Sequence, residues 1–160
     1  MTSWRGLFGF AAAFTTAVWL GTAPLEALAG PEAELFARVN RVRAEHHLIP
    51  LRGSQELAQV ARAHAEDMAR RGYFAHESPE GHNALNRVTG AGITGFRLLA
   101  ENIGASTVSG DRLDAIVEEW MRSHDHRENL LNPAFNTAGV GVVEGPDGQT
   151  LVVELYATYN

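Results

Sequence analysis

The end of the chain constrains the fold more than any other stretch. "GVGVVE" at 139–144 and "QTLVVELYATY" at 149–159 are β-branched and aromatic runs, and Gly145, Pro146, Asp147 and Gly148 stand between them. Two such runs around a turn-forming tetrapeptide predict an antiparallel hairpin. Most of what precedes it reads as helix. Ala33, Leu35, Phe36, Val39, Val42 and Ala44 recur at helical spacing and predict a helix over 31–47, with Pro31 in its first turn and Pro50 beyond its end. A second helix is predicted from a Ser54 cap through Leu57, Val60, Ala61, His64, Ala65 and Met68 to Arg71, with Gly72 as C-terminal cap. A shorter helix is expected over 82–92, before the turn-rich "TGAGITG". A fourth is expected to start near Ser109 or Asp111, to carry Leu113, Ile116, Val117, Trp120 and Met121, and to run on into "SHDHRENLLNP". "AENIGASTVSG" at 100–110 has weak signals for either state. Helices first and strands last predict an α+β domain with a sheet covered by helices.

Composition bounds what such a domain can do. The first 29 residues carry one early charge at Arg5, an apolar run from Leu7 to Leu20 and an A-x-A pattern at Ala27 and Ala29, which reads as a secretory signal peptide cleaved after Ala29. The competing reading is a retained anchor, although the run is shorter than the roughly 20 residues of a bilayer span. Residues 30–160 then form one domain, expected outside the cytoplasm in the periplasm or the medium, with no transmembrane segment of its own. The net charge of −6 and the lack of a basic patch argue against nucleic acid as a partner. Lysine and cysteine are both absent, which excludes Schiff-base chemistry, thiol nucleophiles and thiolate metal ligands. An exported chain without cysteine must hold its fold by core packing alone.

Seven histidines are the side chains that titrate near neutral pH unaided. His46 and His47 fall at a helix end and read as exposed. His64 lies on the apolar face of the second helix, which predicts burial and a hydrogen-bond partner, with Asp67 one turn away as the candidate. His124 and His126 are two residues apart, so on a continuous helix they point to nearly opposite sides and do not share a metal. No G-x-S-x-G elbow and no H-E-x-x-H motif occurs. The adjacent Glu118 and Glu119 diverge around a helix. The residues by themselves specify an α+β domain and leave its chemistry open.

Three segments together carry a resemblance. "AHAEDMARRGYFAHESPEG" at 63–81, "AENI" at 100–103 and "EEWMRSHDHRENLLNPAFNTAGVGV" at 118–142 resemble successive signatures of the CAP superfamily (cysteine-rich secretory proteins, antigen 5 and pathogenesis-related proteins), in particular its cysteine-free bacterial secreted branch. The resemblance implies a three-layer α-β-α sandwich around a small central antiparallel sheet. It also implies a cleft with two histidines and two glutamates that in several members hold a divalent cation, often zinc. By position these fall on His76, Glu101 and His126, while the second glutamate's place is taken by Ser123, three residues past Trp120. His76, Glu101 and His126 are therefore the implied metal ligands. Two imidazoles and a carboxylate would leave one coordination position open on zinc. Serine is no general base, so Glu119 and Asp125 are the nearby candidates for that role. Asp125 stands where a glycine normally precedes the second histidine. His64 and Asp67 match a pair typical of the bacterial branch and are expected to be structural.

Three functions follow from this reading. The first is a secreted binding module whose cleft holds a cation or a small ligand, with lipid, a cell-wall component or another protein as partner. The second is a zinc-dependent hydrolase of peptide or wall polymer. The third is a structural domain whose polar cluster is a buried hydrogen-bond network.

Overall fold

The computed structural model describes residues 30–160, so the segment read as a signal peptide lies outside the described residues. Helix α1 spans Pro31–Glu45, strand β1 Arg52–Gly53 and helix α2 Gln55–Arg71. Helix α3 spans Ala84–Gly90 and strand β2 Leu98–Ser106. Helices α4 (Arg112–Arg122) and α5 (His124–Leu130) lead to the terminal strands β3 (Thr137–Glu144) and β4 (Thr150–Thr158). The hairpin and the first two helices fall where the residue pattern puts them. Ser54 caps α2 through Leu57 N, and Gly72 closes it in the left-handed conformation at φ 68°.

The four strands form one sheet in the order β1-β3-β4-β2. β2, β3 and β4 pair antiparallel, as the resemblance implies, but the two-residue β1 pairs parallel with β3, so the sheet is mixed. The weakly patterned 100–110 segment supplies most of β2, an edge strand. The predicted fourth helix is two helices. Ser123 adopts an extended backbone (φ −80°, ψ 129°), ends α4 and starts α5, so His124 and His126 are not a continuation of the Trp120 helix.

Each face of the sheet carries its own apolar core. On one side α1, α4 and α5 deliver Leu35, Val39, Ile116, Trp120 and Leu130 against Val140, Val152 and Tyr156. On the other, α2 and α3 deliver Leu57, Ala61, Met68 and Val88 against Val153, Leu155 and Ala157. The alternation of side chains along each strand makes both faces possible. Glycine sets how closely the layers approach. A Cβ on Gly139 or Gly141 would strike the backbone of α2 at Leu57–Ala58 or Ala61–Arg62, and one on Gly104 would meet Ile116 Cγ2 at 2.5 Å. Arg43 is wholly buried and donates to the carbonyls of Ile49, Leu130, Asn132 and Phe135, which fastens the end of α5 to α1.

Candidate functional site

The two layers meet along β2, and there the chain gathers its polar residues. Tyr73 O–H donates to Asp67 and Arg71 forks onto Glu80, which folds the segment after α2 back over that helix. The turn so formed carries His76 to Glu101 on β2. His76 Nδ1 lies 2.9 Å from Glu101 Oε1, so the carboxylate fixes the imidazole with Nδ1 protonated and Nε2 free. The other oxygen of Glu101 accepts from Arg87 of α3 at 2.6 Å. Arg87 also donates to the carbonyls of His76 and His82, the two ends of the turn.

His126 approaches from the opposite layer. Asn102, the residue after Glu101, points to the other face of β2 and donates to the His126 carbonyl at 2.9 Å. Asn129 of α5 donates in turn to Asn102 Oδ1 at 3.0 Å. These bonds seat the first turn of α5 beside the strand. The His76 and His126 rings stand 6.3 Å apart between centroids, inclined at 45°. His126 Nδ1 is buried without a hydrogen-bond partner. Burial, and next the neighbouring His76, lower the His126 pKa below the ordinary histidine value, so its ring is neutral at pH 7.

Among the residues named from sequence, His76, Glu101 and His126 come together. Ser123 is half-buried at the junction of α4 and α5, with its hydroxyl making no capping bond. Glu119 is exposed, and Asp125 is 94% exposed beside His124. Neither touches the two imidazoles. His64 is buried as expected, but its partner is not Asp67: His64 Nε2 faces the Ala75 carbonyl at 3.0 Å, while Asp67 is held by Tyr73, Arg70 and Arg71. The reason is that helical spacing reveals only neighbours on the same helix, and the turn after α2 supplies the partners instead. The site residues that sequence reasoning missed are Arg87, Asn102 and Asn129. Asn102 had a signal, as a second polar residue inside a strand flanked by apolar ones; Arg87 had none.

Two grooves flank this centre. One of about 460 Å³ is lined by His76, Leu85, Phe96, Leu98 and Glu101, and one of about 570 Å³ runs past His64, Arg71 and His82. Arg87 borders the larger groove and, through Glu101, the smaller. Among the described residues no three histidine, aspartate or glutamate side chains form a group that could hold a metal ion. No described helix is long and apolar enough to cross a membrane.

Known proteins share this architecture. YkwD of Bacillus subtilis is 34% identical over 113 residues, which are 71% of this chain and 42% of that protein. The chain spans less than half the length of the curated relatives it matches. An SCP-domain extracellular protein of Bacillus anthracis superposes with a TM-score of 0.67 at 29% identity, over 82% of this chain and 44% of that one. The structure of NaASP2 with Zn²⁺ has the same fold at 16% identity, with a TM-score of 0.57 over 86% of this chain and 84% of that one. The model of the cysteine-rich secretory protein family, CAP, matches residues 36–157, nearly all of the described domain. With helices on both faces of a four-stranded sheet and no cysteine, the chain belongs to the CAP family.

Proposed function

We propose that this protein is an exported binding module whose cleft takes a divalent cation between His76 and His126. One observation carries the reading: two imidazoles from opposite layers stand 6.3 Å apart, each with a ring nitrogen uncommitted within the protein. A buried polar atom without a partner is uncommon, and a site for an ion or ligand is a standard reason for one. The donor set fits a cation that favours nitrogen, such as zinc, because imidazole is among its usual ligands. Glu101 fits as the group that orients His76 from behind rather than as a ligand, since both its oxygens are already engaged. The remaining coordination positions are open to a ligand such as lipid, a cell-wall component or a protein side chain. The N-terminal signal-like segment supports binding outside the cytoplasm.

Hydrolysis is the weaker reading. A metal-bound water needs a base within hydrogen-bond reach. The carboxylates nearest in sequence, Glu119 and Asp125, are exposed and, although their charges reach His126, neither hydrogen-bonds to an imidazole of the pair.

Titration calorimetry of zinc into the purified, metal-free protein tests the proposal. The wild type binds at neutral pH, the affinity falls as the imidazoles protonate, and His76→Ala or His126→Ala abolishes it. A wild type that gives no zinc binding at pH 7.5 overturns the reading.

A further inference from the structure

Arg87 belongs to none of the motifs that mark the cleft, yet it holds more of the cleft's geometry than any other side chain. Its side chain is only 13% exposed and that of its partner Glu101 only 4%. It donates 2.6 Å to Glu101 Oε2, 3.1 Å to the His76 carbonyl and 2.7 Å to the His82 carbonyl. Its Nε is buried without a partner. Arginine does not lose its charge in a protein, so the Glu101 carboxylate is permanently compensated. A lysine in this place would keep the charge against Glu101 but not the fork that also reaches the two carbonyls, and an amide would keep neither.

The consequence concerns which ions the cleft admits. Calcium and magnesium require oxygen ligands, chiefly carboxylates, whereas zinc and its neighbours accept imidazole. Among the described residues Glu101 is the carboxylate within hydrogen-bond reach of the His76 ring, and Arg87 takes the oxygen that His76 does not. What faces an incoming ion is then two imidazoles next to an ion pair whose charges cancel, with the exposed Glu119 and Asp125 acting on His126 only at a distance.

We propose that Arg87 is the specificity-determining residue of the cleft: by occupying Glu101 it withholds the carboxylate from ligation and restricts the site to nitrogen-preferring divalent cations. The proposal rests on the reading of the cleft as a cation site. Removal of Arg87 frees Glu101 Oε2 and leaves its negative charge uncompensated, so a hard cation gains an oxygen ligand and an attractive charge. Loosening the turn at His76 would weaken every ion alike, so the readout is a preference rather than an affinity.

Zinc and calcium are titrated separately by calorimetry into the full-length, metal-free wild type, Arg87→Met and Arg87→Lys, with thermal melts and amide spectra establishing that each variant is folded. The wild type binds zinc and gives no calcium binding at millimolar concentration. Arg87→Met loses about tenfold or more of its preference for zinc over calcium, and Arg87→Lys, which keeps the charge, recovers most of it. An unchanged preference in folded Arg87→Met overturns the inference and leaves the cation site standing. Calcium binding by the wild type that disappears in His76→Ala does the same, and it needs no folded Arg87 variant. A wild type that binds no zinc overturns the cation site and the inference together.

Discussion

Glu154 lies in the middle of β4 with no solvent contact, and burial pushes its carboxyl up to about 8 from the ordinary 4.5. Tyr156 O–H donates to its Oε2 at 2.8 Å, and Oε1 is unpartnered. The protonated acid is the form this site accepts at neutral pH. A carboxyl whose folded pKa is raised contributes stability that is complete below about pH 4.5 and is lost as the pH rises to about 8. His64 and His126 act in the opposite sense, because burial lowers both: their contribution is complete above the ordinary histidine value of 6.5 and is lost as the pH falls from there through their lowered folded values. The interval from pH 7 to 8.5 therefore isolates Glu154. Urea unfolding of the wild type loses about 1 kcal/mol across it, from a limiting slope of about 1.4 kcal/mol per pH unit. Glu154→Gln, which has no proton to lose, is flat over the same interval whatever its absolute stability. Equal slopes for the two proteins would mean that Glu154 is already ionised at pH 7. The sequence carried a hint of this group, as one acid within the apolar run "LVVELYA".

At the scale of elements, α1, α2 and the β3–β4 hairpin were legible because their apolar periods are unbroken and their ends carry Pro31, Ser54, Gly72 and a turn. β2 was not, because Glu101, Asn102 and Gly104 each serve a neighbour: Arg87 and His76, the His126 carbonyl, and the close approach of Trp120. A strand whose residues answer to other elements has little pattern of its own. The α4–α5 break at Ser123 was hidden for a related reason, since nothing in "WMRSHDHRE" is a helix breaker and the bend is imposed by packing. The layer spacing depends on single glycines in β3. Gly141→Ala forces a methyl group into α2 at Ala61–Arg62 and is expected to cost about 3 kcal/mol, read as a drop in the urea midpoint at unchanged m-value. Gly90→Ala, in α3 with open space around its Cα, is expected to change stability by less than about 0.5 kcal/mol. A tolerated Gly141→Ala would show that α2 can lift from the sheet without loss of packing.

For the whole molecule, the two apolar cores touch only through the sheet, and the cleft lies at the sheet's β2 edge. His76 belongs to the α2–α3 side and His126 to the α4–α5 side, so the resemblance names three residues that spacing within any one element would not have joined. A cation held by both imidazoles ties one layer to the other in the folded state and has no equivalent site in the unfolded chain. On the proposed cation site zinc would stabilise by mass action, by about 2.7 kcal/mol at a hundredfold excess over its dissociation constant. An ion bridging the two layers stabilises both at once, so the whole melting transition should move upward together rather than one part of it. His126→Ala removes the tie, and its melting temperature should be the same with and without zinc. The shift should also shrink in acid, where protons compete with the ion for the imidazole nitrogens. A zinc-induced rise that survives in His126→Ala would assign the ion to another site, and a wild-type transition that splits in two on zinc addition would show that the layers are not joined by it.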